Sequence, residues 1–347
     1  MARGFEVSLS PTMTEPLRAF VTGGAGFIGS ELVAQLIAGG WDVVVLDNLA
    51  TGRWENLDGL PLSDSAKITG DVRDPELIAR LMAGADTVFH LACRGVRFSL
   101  HSPIETHEVN AGGTLAMLEA ARHAGIRRFV HVSSSEVYGT AGDPPMREDG
   151  LTLPTTAYGA SKLAGEAYAR AYHCCFGVPV TIVRPFNSFG PRAHHEGDAG
   201  EVIPKFVLRA LAGQHLTIFG NGGQTRDFCY VSDTAHGIML AAAVEGALGE
   251  TINLGSGNEL SIRNLALSVL KAVGNVHASL RFDEARPGDL PRLCAETDKA
   301  KRMLGFSPTV SFSEGLTRLI AWYGRDIKVA EKLLPQDSIR NWEKFHD

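Results

Sequence analysis

The stretch Val21-Thr22-Gly23-Gly24-Ala25-Gly26-Phe27-Ile28-Gly29 decides the fold. It lies between an apolar run at 18–22 that reads as a strand and a run at 27–38 that reads as a helix. Gly24, Gly26 and Gly29 satisfy G-x-G-x-x-G, and Gly23, Gly26 and Gly29 satisfy G-x-x-G-x-x-G. Glycine here lets the chain turn tightly and lets the backbone approach a pyrophosphate. The helix start behind it offers unpaired N–H groups and a partial positive charge. Glycine-rich turns are common, so the pattern gains its weight from sitting between a strand and a helix, as a dinucleotide site requires.

Working outward, Asp47 ends a second strand at 42–46, about twenty residues beyond the glycines, where an acid accepts from both ribose hydroxyls. A carboxylate there repels a 2′-phosphate and no arginine follows it directly, which favours NAD over NADP. Asp71 follows a short third strand at 67–69 and is placed to accept from the adenine amino group, although by itself it resembles any turn aspartate. Strands at 87–91, 128–132 and 180–183 alternate with helical stretches at 104–124 and 158–176. That alternation predicts a Rossmann-type α/β fold, a doubly wound parallel sheet.

Beyond Pro185 the pattern changes to a Gly-, Pro-, His- and Asp-rich loop at 187–200. A helix at 202–211, strands at 216–219 and 228–231, and helices at 233–244, 262–273 and 312–322 then predict a smaller C-terminal α/β substrate-binding domain. The expected division is a flexible tail at 1–17, the dinucleotide-binding domain at 18–190, an interleaved second domain at 191–325, and a charged tail at 326–347.

Composition narrows the function classes. The 347 residues carry 33 Lys and Arg against 39 Asp and Glu, a net charge of −6, so no basic excess exists to hold a nucleic-acid backbone. No apolar run is long enough to span a bilayer, and the first residues lack the apolar core of a signal peptide. Neither C-x-x-C nor H-E-x-x-H occurs among the 5 cysteines and 12 histidines. The expectation is a cytoplasmic protein with reduced thiols, no metal site, no nucleic-acid partner and no membrane partner.

Chemistry enters at Tyr158-Gly159-Ala160-Ser161-Lys162, which places a phenol and an ammonium at i and i+4, on one helix face. The ammonium favours the phenolate, and a phenol so tuned takes a proton from an alcohol while a hydride leaves the same carbon. Y-x-x-x-K is common by chance. Here it follows the dinucleotide fingerprint and the polar cluster Ser133-Ser134-Ser135-Glu136 in the order such a site needs.

With these parts in place the sequence resembles the extended short-chain dehydrogenase/reductase superfamily, and within it the NAD-dependent nucleotide-sugar epimerases, dehydratases and decarboxylases. The matching pieces run from Thr22 to Gly29 and include Asp71-Val72, His90-Leu91-Ala92-Cys93, Val109-Asn110, Val137-Tyr138-Gly139, Arg184-Pro185-Phe186-Asn187, Gln224-Thr225-Arg226-Asp227-Phe228 and Arg286-Pro287-Gly288-Asp289. The resemblance implies NAD held by Gly23, Gly26, Phe27, Ile28, Asp47, Asn48, Asp71, Val72, Leu91, Ala92 and Pro185, together with Tyr158 and Lys162. It implies Ser134 on the reacting C4 hydroxyl and Tyr158 as base. The resemblance also implies a nucleoside-diphosphate sugar, expected to be a UDP-sugar, held by Ser135, Asn187, Arg226 and Arg286. Homodimers are common in the family.

Every candidate reaction starts with oxidation at C4. The run Val96-Arg97-Phe98-Ser99 with Pro103, and the run beginning at Arg286, are most similar to UDP-glucose 4-epimerase-like members. The expected reaction is therefore 4-epimerisation, in which hydride returns to the opposite face of C4. Glu136 points instead to a 4,6-dehydratase that removes the C5 proton, although the acid that precedes this Glu in many dehydratases is Ser135 here. A UDP-glucuronate decarboxylase is the third reading, with Arg192 as partner of the substrate carboxylate. Outside this class stand a non-catalytic NAD-sensing regulator and a simple carbonyl reductase.

Overall fold

The computed structural model of the chain describes residues 16–140, 142–286, 289–324 and 327–334. The N-terminal half forms β1 (Arg18–Thr22), α1 (Phe27–Ala38), β2 (Asp42–Asp47), β3 (Lys67–Thr69), α2 (Pro75–Met82), β4 (Thr87–His90), α3 (Phe98–His101), α4 (Pro103–His107), α5 (Gly113–Ala124), β5 (Arg128–Val132), α6 (Ala157–Phe176) and β6 (Val180–Pro185). After it come β7 (Ser188–Phe189), α7 (Val202–Leu211), β8 (His215–Phe219), β9 (Thr225–Asp227), β10 (Cys229–Tyr230), α8 (Val231–Ala243), β11 (Thr251–Leu254), β12 (Glu259–Ser261), α9 (Ile262–Val273), β13 (Ser279–Asp283), α10 (Asp298–Leu304), α11 (Phe312–Trp322) and α12 (Ile327–Leu333).

The main sheet has 7 strands in the order β11-β6-β5-β4-β1-β2-β3, and every pairing in it is parallel. Its strands are apolar on both sides because helices cover both faces. One face packs α1 and α8 around Leu32, Val33, Ile238 and Ala241, and the other packs α2, α5 and α6 around Ile78, Met117, Leu118 and Ala169. The chain winds outward from β1 through β2 to β3, then returns to β4 and winds the other way. A crevice consequently opens at the carboxyl ends of β1 and β4, where ligands bind in such sheets. The smaller unit pairs β8 with β13, β9 with β12 and β7 with β10. Helices α7, α9 and α11 close a separate apolar cluster containing Phe206, Val207, Leu265 and Leu319.

Within residues 191–325, β11 pairs with β6 in the main sheet and α8 packs on α1, so this segment is interleaved with the N-terminal half. Two sequence expectations about element boundaries are corrected. The helix expected at 104–124 breaks into α4 and α5 around a π-helical turn at Glu108–Gly112. That turn carries Asn110 inward, where its Nδ2 donates to Arg94 O at 3.1 Å and to Ser161 Oγ at 3.0 Å. The strand expected at 228–231 is two short strands on either side of Phe228, and α8 already begins at Val231. Elements α2, α10 and β11 to β13 had no sequence expectation, being short or lacking a clear period. The expected tails fall largely on residues 1–15 and 335–347, which lie outside the described residues, as do Pro287 and Gly288.

Candidate active site

A single cleft of about 640 Å³ runs from the glycine turn, past the ends of β5 and β6, to the smaller unit. At its first end Gly23 adopts φ +71° and donates its N–H to Leu46 O at 2.8 Å. A Cβ on Gly29 would stand 2.1 Å from Gly23 O, so only glycine lets α1 approach the turn this closely. Gly26 caps α1 and no side chain satisfies the free N–H groups of its first turn, which leaves them for an anion. Buried Asp47 accepts from Ala25 N at 3.0 Å and Leu49 N at 2.9 Å. A carboxylate offers about four acceptor positions, so roughly two remain for ribose hydroxyls. Burial raises the Asp47 pKa, and the two backbone bonds oppose that rise.

Gly23, Gly26, Phe27, Ile28, Asn48, Val72, Leu91, Ala92 and Pro185 line the same cleft. Asp71 does not. Its carboxylate is taken by Arg73, at 2.8 Å through both Nε and Nη2, and by Asn48 Nδ2 at 3.1 Å, and the Arg73 bonds hold its pKa well below the usual range. Asp71 thus orients Asn48, and the adenine contact expected of it is not placed.

The middle of the cleft is built where β5 ends. Ser133, Ser134, Ser135 and Glu136 turn off the strand, with Glu136 N donating to Ser134 Oγ at 3.2 Å. Thr156 caps α6 by accepting from Gly159 N at 3.0 Å. A Cβ on Gly159 would lie 2.6 Å from Glu136 O, so the first turn of α6 rides directly on the serine turn. Tyr158 and Lys162 therefore face Ser134. Lys162 is buried and donates from Nζ to Val132 O at 2.8 Å, and Ser134 stands close enough to the Tyr158 phenol to act on its ionisation. Burial holds the phenol pKa well above its ordinary value; Cys93, Glu136 and Glu201 add to the rise and Ser134 opposes it. Burial also raises Glu136, against the pull of Arg226, Arg286 and Arg97.

The far end is rich in arginine. Asp289 Oδ1 accepts from Arg226 Nη2 at 2.5 Å and from Arg286 Nη2 at 2.6 Å, and Arg226 Nη1 also donates to Leu290 O at 2.7 Å. Both guanidiniums are thereby held in place before any anion arrives. Asn187 lines the cleft beside them and donates to Asp227 O at 3.3 Å. Arg192, expected at the substrate, lies elsewhere: it pairs with Glu31 of α1 at 2.5 Å and does not line the cleft.

Two further lining residues had no role in the sequence reading. The Arg97 side chain makes no hydrogen bond or ion pair among the described residues, and burial pushes its guanidinium down to about 10. Glu201, just before α7, is raised to about 7 by burial, with Arg97 opposing. Val96-Arg97-Phe98-Ser99 carried a signal for the first, through its family-like pattern. Glu201 carried none, because nothing local distinguishes it from a solvated glutamate.

A dinucleotide cradle, a Ser-Tyr-Lys set and an arginine-lined end within one cleft define a short-chain dehydrogenase/reductase of the extended, two-unit kind. The chain belongs to the GDP-mannose 4,6 dehydratase family, whose model matches residues 20–319, a member of the nucleotide-sugar epimerase and dehydratase group. It is 38% identical over 311 residues to the UDP-glucose 4-epimerase of Mycolicibacterium smegmatis, covering 88% of this chain and 98% of that one. An epimerase structure from Methanothermobacter thermautotrophicus superposes with a TM-score of 0.85 at 35% identity, covering 92% and 95% of the two chains. The dTDP-glucose 4,6-dehydratase DesIV of Streptomyces venezuelae, solved with NAD and TYD bound, superposes at 0.82 with 38% identity, covering 88% and 97%.

Proposed function

We propose that the protein is an NAD-dependent nucleotide-sugar 4-epimerase acting on a UDP-sugar. The observation that carries this reading is the position of Ser134, Tyr158 and Lys162 midway between the dinucleotide cradle and the arginine end of one cleft. NAD fits the first end: the Gly29 close approach and uncapped α1 suit a pyrophosphate, and Asp47 keeps acceptor positions free. Gly23, Gly26, Phe27, Ile28, Asp47, Asn48, Val72, Leu91, Ala92 and Pro185 would hold it, with Tyr158 and Lys162 at the reacting end. When bound, NAD would supply the hydride acceptor and, once reduced, the hydride donor of a closed cycle.

The residues of the chain do the rest. Arg226, Arg286 and Asn187 hold the diphosphate, the arginines through charge-assisted bonds. Ser134 and Ser135 orient the sugar so that the C4 hydroxyl meets Tyr158. Tyr158 takes the hydroxyl proton as the C4–H bond breaks, and gives it back when C4 is reduced from its other face. At Tyr158 the Ser134 hydroxyl opposes the burial that keeps the phenol protonated, and a positive charge at Lys162, four residues on along the same helix face, favours the phenolate.

A second reading, 4,6-dehydratase, is favoured by one observation: Glu136 lines the cleft next to Ser134 and within electrostatic reach of Tyr158. Elimination also needs an acid for the departing C6 hydroxyl, and the residue before Glu136 is Ser135, which supplies none. The decarboxylase reading loses the carboxylate partner expected for it, because Arg192 pairs with Glu31. An intact Ser-Tyr-Lys set argues against a sensor without catalysis.

We further read the protein as a cytoplasmic homodimer. Its 5 cysteines are unpaired, and no helix among the described residues is long and apolar enough to cross a membrane. Ile104 on α4 is 75% exposed, and Tyr168 and Phe176 on α6 are also exposed, so these helices offer apolar surface for a second copy. Light scattering at twice the chain mass is the expected result. For the reaction, protein and NAD are incubated with UDP-glucose, UDP-galactose, their N-acetyl forms, UDP-glucuronate and dTDP-glucose. The expected product is a new isomer of unchanged mass. Loss of water would establish the dehydratase and loss of carbon dioxide the decarboxylase.

A further inference from the structure

Helix α6 carries Tyr158, Lys162 and Glu166 at i, i+4 and i+8, a spacing that runs down one side of the helix. The first two line the cleft, whereas Glu166 lies beneath its floor, fully buried. Glu166 Oε1 accepts from Ser133 Oγ at 2.6 Å and from Arg184 Nε at 2.8 Å. Glu166 Oε2 accepts from Arg184 Nη2 at 2.7 Å and from Arg170 Nη1 at 3.1 Å. Arg184, on β6 and also buried, turns its remaining nitrogen Nη1 to Tyr138 Oη at 2.8 Å, and Tyr138 Oη donates to Asn253 Oδ1 of β11 at 2.8 Å.

Ser133 and Tyr138 stand immediately on either side of Ser134–Val137, the turn that presents Ser134, Ser135 and Glu136 to the cleft. One ion pair thus grips both ends of that turn and the helix that carries Tyr158 and Lys162. We propose that the buried Glu166–Arg184 pair is a positioning device that sets the register of Ser134 against Tyr158. Neither residue touches the cleft, so both act through the groups they hold.

A bulk contribution to stability does not account for the pair. The cost of desolvating two buried charges roughly offsets their attraction, so a pair of this kind can often be replaced by apolar side chains without loss of stability. What apolar side chains do not reproduce is direction. The planar guanidinium fork meets the carboxylate edge-on and fixes both orientation and distance. Gly159 lets the first turn of α6 sit close on Glu136 O, and the fork adds direction to that contact from the next two turns of the helix. A misplacement of about 1 Å at reacting groups costs on the order of 100-fold in rate.

This inference rests on the proposed hydride-transfer chemistry, and the test separates the two. The decisive variant is Glu166→Met/Arg184→Leu, which removes both charges together while keeping the volume filled. Expected are a melting temperature close to that of the wild type, a roughly 10- to 100-fold fall in kcat, and a KM for the nucleotide sugar and an NAD affinity within about threefold. Arg184→Lys keeps the charge without the fork and should not restore the rate. If the double variant does not fold, Ser133→Ala and Tyr138→Phe decide, since each cuts one arm while leaving the ion pair; each should lower kcat with KM held. A kcat within threefold of wild type, a wild-type rate in Arg184→Lys, or a KM and an NAD Kd that rise in step with the fall in kcat would each overturn the proposal. Absence of turnover by the wild type on every nucleotide sugar would overturn the functional reading instead. The pin would then be judged by whether the double variant alters the environment of Tyr158, measured as the pH at which its phenol ionises with NAD bound; an unchanged value overturns the pin.

Discussion

Replacing Glu136 with Gln separates the two leading reactions, and the cleft sets the size of the effect. The Glu136 carboxylate makes no side-chain hydrogen bond among the described residues; it interacts at a distance with Arg226, Arg286 and Arg97, and burial raises its pKa. Glutamine keeps its shape and removes its charge and its ability to take a proton. In a 4-epimerase, hydride leaves and returns at C4 and no C5–H bond breaks. The loss is then at most that of a neutral hydrogen bond near the sugar, about 0.5–1.5 kcal/mol, or under roughly tenfold in kcat. In a dehydratase Glu136 is the C5 base, and its loss costs on the order of 10²–10⁴-fold. The expected result is the smaller one. The assay is kcat from chromatographic separation of the sugar isomers, with wild-type turnover in deuterated water followed by mass spectrometry. Deuterium in the wild-type product together with a loss above 100-fold in Glu136→Gln would refute the reasoning and make Glu136 the base.

Tyr158→Phe should lose about 10²–10⁴-fold in kcat while still binding NAD in calorimetry, because only the transferable proton is removed; near-normal turnover would place the base elsewhere. Asp47→Asn should weaken NAD by roughly 10- to 100-fold, the worth of a charge-assisted bond, and narrow the preference over NADP; an unchanged ratio of the two affinities would remove Asp47 from the ribose. Arg97→Met should raise the Kd of UDP by at least about tenfold, since this guanidinium lines the cleft without a side-chain hydrogen bond among the described residues; an unchanged Kd would mean it does not face the phosphates. Glu201, raised to about 7 in the fold against about 4.3 in an unfolded chain, keeps its proton longer when folded, so its contribution to stability is full below about pH 4.3 and is lost as pH rises through about 7. Glu201→Gln should therefore stabilise the protein at pH 8 by about 1–2 kcal/mol, allowing for water in the open cleft, with no gain at pH 4; equal melting shifts at both pH values would contradict this.

The dinucleotide half of the molecule is legible in the order of residues alone. Strand, glycine turn, helix and Asp47 are adjacent in the chain, and glycine conformation and helix periodicity are local physics. The same holds for Tyr158 and Lys162, whose i, i+4 spacing needs only a helix. Tertiary structure decided what depends on contacts between distant segments. Asp289 joins Arg226 to Arg286 across 63 residues, and Arg192 leaves the cleft for Glu31, which lies 161 residues away. Asp71 is lost to its neighbour Arg73, a choice that a turn aspartate does not reveal until side-chain directions are fixed. Strand β11 is too short to read alone and becomes a strand because β6 offers it an unpaired edge, and Asn110 turns inward because a π-helical turn interrupts the periodic run that hides it. Arg97 and Glu201 owe their perturbed charge states to burial, a property of the folded cleft. Glu166 is helical by its sequence and becomes the partner of Arg184 only when β5, β6 and α6 converge beneath the catalytic turn.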